Sequence, residues 1–75
     1  MKPGTIVRTT VDVPIILGFR LTLTGVEKDY GATIPAGSRG MVTRILDDGA
    51  FVTVALYAFN GAIFMFEVTQ LEIDE

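Results

Sequence analysis

Ile34, Pro35, Ala36, Gly37, Ser38, Arg39 and Gly40, running straight into Met41, Val42, Thr43, Arg44, Ile45 and Leu46, form the stretch whose reading decides the fold. Proline presets φ for the second position of a turn, and glycine accepts the positive φ that turns can require. The run that follows is rich in strand-favouring residues. Downstream the punctuation is regular. Asp47–Gly49 (Asp47, Asp48, Gly49) reads as a tight hairpin turn, and residues 50–57 as the strand that returns from it. A second turn falls at Ala58, Phe59, Asn60 and Gly61, where Asn-Gly is the favoured type I′ pair, and residues 62–68 form the next strand. Thr69 and Gln70 make a bend or one helical turn, Leu71–Ile73 is a last short strand, and Asp74 and Glu75 are a solvated tail.

Upstream the pattern is looser. Residues 5–13 read as a strand with Val7, Thr9, Val11 and Val13 toward the core. Pro14 breaks that strand or puts it at an edge. Phe19, Leu21 and Leu23 alternate on one side of a second run, Gly25 ends it, and residues 26–31 are polar and turn-like. The segment from Pro14 to Pro35 therefore reads as a long excursion, partly a hairpin, folded over one end of the domain. The expected architecture is all-β: a five-stranded small barrel over residues 1–75, with a long loop between its first and second strands. Closing the sheet removes exposed strand edges, the most economical solution for so short a chain.

Composition closes several functional classes. There is no cysteine to form a disulfide or supply a thiolate, and no histidine, the commonest general base near neutral pH and a frequent metal ligand. Six basic residues are scattered against nine acidic ones, for a net charge of −3, so the basic stripe of a nucleic-acid binder is missing. Nearly half the residues are hydrophobic, more than a domain of this size readily hides. The longest apolar run, residues 13–19, is far shorter than the ~20 residues of a membrane-spanning helix and contains Pro14. No basic segment followed by an apolar one opens the chain, and the expectation is a cytoplasmic protein without membrane contact.

From Gly37 to Ile73 the pattern resembles a small Src-homology-type β-barrel. That family carries a turn of the form P-x-G, here Pro35, Ala36 and Gly37, ahead of G-x-V, here Gly40, Met41 and Val42. A meander, a short helical turn and a terminal strand follow, as residues 68–73 would supply. The resemblance implies topology and says little of activity, because this barrel hosts many unrelated functions. The plasmid-type dihydrofolate reductases, tetramers of such barrels, line their active-site pore with a Val-Gln-Ile-Tyr strand. Phe64 and Phe66 stand here where the glutamine and tyrosine would be, so the resemblance argues against that activity.

The most informative anomaly is Ile63, Phe64, Met65 and Phe66, a strand apolar on both faces where a half-exposed strand should alternate. Either the excursion covers the second face, or a partner or second copy does. The expected function is that of a non-enzymatic module making homo-oligomer or protein–protein contacts, through a surface formed by Phe51, Tyr57, Phe64 and Phe66 with Phe59 at its rim. A nucleic-acid alternative would use Arg20, Arg39 and Arg44. A small-molecule-binding oligomer would have to draw on Gln70, Thr43 and Thr53. A proline-rich peptide groove would use Tyr30, Tyr57 and Phe59 with Glu27 and Asp29, but lacks the family's paired tyrosines and any tryptophan. Asp47 and Asp48 are explained by the turn they occupy, and no cofactor or metal is expected.

Overall fold

The computed structural model describes residues 1–74, excluding the side chain of Leu17. Glu75, read above as part of the tail, lies outside them. The chain is all-β, in two antiparallel sheets. Its strands are β1 (Ile6–Thr9), β2 (Val13–Thr22), β3 (Gly25–Ile34), β4 (Arg39–Leu46), β5 (Phe51–Leu56), β6 (Ala62–Glu67) and β7 (Leu71–Ile73). Five of them form one sheet in the order β6-β5-β4-β1-β7, while β2 and β3 pair only with each other. Among the described residues no ladder joins β6 to β7, so the expected closure of the barrel is not seen.

The turn from Pro35 to Ser38 is held by the residue it faces. Thr9, at 2% exposure the buried polar residue of the core, donates its hydroxyl to the Pro35 carbonyl (2.9 Å) and accepts from the Ser38 N–H (3.1 Å). Backbone bonds from Gly37 to the Thr9 carbonyl (2.7 Å) and from Thr9 to the Ser38 carbonyl (2.9 Å) complete the joint. Gly37 supplies the positive φ (86°), whereas Gly40 has another task. A Cβ there would lie 2.4 Å from the Ala55 carbonyl oxygen and 2.7 Å from Val54 Cγ1, so the missing side chain lets β4 approach β5.

One core sits on the inner face of the five-stranded sheet: Val7, Val42, Val52, Val54, Leu56, Phe66 and Leu71, joined by Val13 and Ile34 from the foot of the excursion. Each fully buried side chain of this size contributes about 1.5–3 kcal/mol. Val11, expected in that core, is 48% exposed. The first strand ends at Thr9, and the chain turns where Asp12 accepts the Ala36 N–H (2.8 Å).

The excursion differs most from expectation. It is a regular hairpin of two ten-residue strands, with residues 26–31 in strand rather than turn. The bend falls at Leu23 and Thr24, between the paired Thr22 and Gly25. It does not lie over the sheet. Among the described residues, its foot (Val13, Ile15 and Ile34) is the part packed on the core, and the molecule measures 47 × 27 × 19 Å. The two meander turns are also longer than two-residue hairpins. Leu46 and Phe51 are the last pair around Asp47, Asp48 and Gly49, all three at positive φ, and Leu56 and Ala62 the last around Asn60 and Gly61. The helical turn before β7 is present as Val68–Gln70.

Candidate interaction surface

Register decides which side of β6 faces out. Val52 pairs with Phe66 and Val54 with Phe64, which turns both phenylalanines toward the core. Thr53 pairs with Met65 and Ala55 with Ile63, which turns those two to the outer face. The expected aromatic surface therefore does not exist as one patch. Phe66 is 1% exposed and belongs to the core, and Phe64 is half-buried beside it. Phe59 packs edge-on against Phe64, with ring centroids 5.5 Å apart at 71°. Phe51 is half-buried on the opposite face, between Leu46 and Glu67, and only Tyr57, in the turn after β5, is largely in water.

The outer face carries Met41, Ala55 and Ile63 in one cross-strand row, with Thr53 and Met65 in the next. Ile63 and Met65 are 61% and 62% exposed, left largely uncovered by the described residues. Thr43 and Thr53, candidates for a ligand site, bond to each other (2.7 Å) at a bulge in β4. Gln70 accepts the Glu67 N–H (3.0 Å) and caps the turn before β7.

A second exposed apolar surface lies on the β2–β3 arm. Toward its tip the two sides of the hairpin separate by chemistry. Arg20 faces Glu27 (3.2 Å) and Asp29 (3.4 Å) on one side. The alternate pairs, Leu21 with Val26 and Phe19 with Lys28, stand on the other, continued at the bulged foot by Ile16 with Tyr30. Of the thirteen large apolar side chains exposed among the described residues, six are on this arm. The alternation of Phe19, Leu21 and Leu23 signalled half of this face. Its other half was hidden by the polar run Glu27, Lys28 and Asp29.

The three arginines do not form a bare basic patch. Arg20 is engaged on the arm, Arg39 pairs with Asp74, and Arg44 is exposed on β4. Asp74, expected in a solvated tail, has a side chain only 14% exposed and also meets Arg8 (3.6 Å). Arg8 pairs with Glu72, whose hydrogen bond and then its charge raise the guanidinium pKa, with Asp74 adding in the same sense and desolvation opposing. A cation with a raised folded-state pKa contributes fully below its unfolded value and loses the contribution only as pH climbs through the folded one. Arg8 is thus constant through the neutral range.

A cleft of about 190 Å³ opens where the foot of the arm meets β6, lined by Val13, Ile15, Ile16, Ile34, Phe64 and Met65 among others. It is smaller than the ~300–1,000 Å³ usual for small-molecule sites and has room for one or two side chains. Among the described residues no group of three carboxylates gathers as a metal site, and no helix is long and apolar enough to cross a membrane. Comparison of the chain with protein families, with curated proteins and with solved structures returns no match.

Proposed function

We propose that this chain is a Src-homology-like small barrel acting as a non-enzymatic interaction module, making protein–protein or homo-oligomer contacts through its apolar surface. The fold reading is supported by the strand order β6-β5-β4-β1-β7, by the hairpin after the first strand and by the helical turn before the last. The functional reading is carried by the exposure of Ile63 and Met65 on a sheet whose other face is already filled as a core. Covering the part of each side chain still in water would contribute about 1–2 kcal/mol, a gain the isolated chain forgoes.

A photo-crosslinking amino acid placed at Ile63, in protein expressed in its native cells, tests this reading. The expected result is a covalent adduct to a second copy or to a defined partner. An unmodified chain after irradiation, with the same chain monomeric in light scattering at high concentration, would overturn it.

A further inference from the structure

We propose that the β2–β3 arm is a self-association element, with the arms of two copies packing face to face and antiparallel about a two-fold axis. The inference rests on the interaction-module reading and names its partner as a second copy of this chain. An isolated two-stranded hairpin is marginal in water, and one with a full apolar side needs a cover. The tip-proximal pairs leave Phe19 67%, Leu21 86% and Val26 62% exposed, Ile16 and Tyr30 extend the same face, and Leu23 projects wholly into solvent. Together these residues present on the order of 800 Å², about the contribution of each partner to a standard-size interface.

Charge and shape favour a like partner. The arm carries Arg20 and Lys28 against Glu27 and Asp29, so it is neutral although the chain is at −3. Two arms therefore meet without repulsion, and the arm offers no net charge to select an oppositely charged partner. Lys28, the charged residue within the apolar face, can lay its stem along that face and lift its ammonium to the rim. The antiparallel sense follows from the tip and the foot. Leu23 is the projecting knob, and the cleft at the foot is the hole, with Ile16 belonging to both the apolar face and the cleft. Two equal arms aligned antiparallel place each tip at the other's foot, giving the self-complementary contact a two-fold requires.

The test uses the intact chain, which has no native cysteine. Sedimentation equilibrium of the wild type should give twice the 8.1 kDa chain mass. Leu21→Glu and Val26→Glu, both at exposed positions, should keep the wild-type circular dichroism and weaken the dimer by roughly a hundredfold or more, as charges buried at an interface centre do. Leu23→Cys mixed with Met65→Cys should form a covalent heterodimer on oxidation, whereas Leu23→Cys alone should not crosslink. A monomeric wild type, a dimer untouched by Leu21→Glu, or self-crosslinking of Leu23→Cys would each overturn the arm pairing. If Ile63→Glu dissociates the assembly and the arm variants do not, the pairing fails while the interaction-module reading stands.

Discussion

Gly40→Ala should destabilise the protein even though the same exchange at an unconstrained site stabilises. Reduced freedom of the unfolded chain alone would favour alanine by about 0.4–1 kcal/mol. At Gly40 the added Cβ falls 2.4 Å from a backbone oxygen of Ala55, and backbone cannot rotate away as a side-chain end can. Gly40 is paired on both sides, with Leu56 in β5 and with Val7 in β1. Relief on one side therefore compresses the other, and the bulge at Thr43 can absorb only part of the shift. Overpacking of this kind costs about 1–3 kcal/mol, so the net loss should be about 1–2 kcal/mol after the unfolded-chain gain. For a 75-residue domain that is a fall in Tm of roughly 5–15 °C. Urea unfolding followed by circular dichroism at one fixed protein concentration measures it, with the slope m unchanged. Gly18→Ala is the control: its φ is ordinary and nothing lies within 4 Å of the new Cβ, so it should be neutral or slightly stabilising. An alanine at position 40 that matches or exceeds the wild-type midpoint would refute the close β4–β5 approach.

Thr9→Val should cost about 0.5–1.5 kcal/mol, because it keeps the shape but removes the donor to Pro35 and leaves the Ser38 N–H only its longer bond to the Pro35 carbonyl (3.3 Å); an unchanged denaturation midpoint would show that the hydroxyl does not hold the turn. Phe66→Ala should lose about 3–5 kcal/mol as a core truncation, while Met65→Ala next to it should stay within about 0.5 kcal/mol in monomeric conditions. Equal effects in thermal melts would mean that the faces of β6 are reversed. Asp74→Asn should lower stability by no more than about 1 kcal/mol and reduce its salt dependence, since its arginine partners are largely solvent-exposed; a larger loss, insensitive to salt, would contradict that account.

Much of the downstream fold was legible because each of its turns announces itself locally. Pro35 with Gly37, Asp48 with Gly49, and Asn60 with Gly61 stand where the chain reverses, and Leu71–Ile73 is the last strand as read. The arm was not legible in its second half. Glu27, Lys28 and Asp29 have weak intrinsic strand preference, and they stand in a strand through their ladder with Arg20, Phe19 and Gly18, which the local sequence does not announce. Gly40 looks in sequence like a continuation of the turn, but its constraint lies in Ala55, fifteen residues away. The face of Phe64 and Phe66 was undecidable from period alone, since an alternation of apolar with apolar carries no sign. Asp74 looks like free tail in sequence because its arginine partners, Arg8 and Arg39, lie far from it along the chain.

The two edges of the five-stranded sheet are protected unequally. β7 presents Glu72 beside Arg8, a charged margin that discourages another strand from adding to it. β6 presents Ala62, Ile63, Phe64, Met65 and Phe66 with only Glu67 as a charge and no proline, a short segment with the composition of a cross-β zipper. Conditions that loosen the meander should therefore release fibre-forming material at β6 before β7 contributes, and a peptide of residues 62–67 should seed aggregation of the partly unfolded chain when followed by thioflavin fluorescence. Ile63→Lys, a gatekeeper charge on that strand, should lengthen the lag. An unaltered lag would place the initiating segment elsewhere.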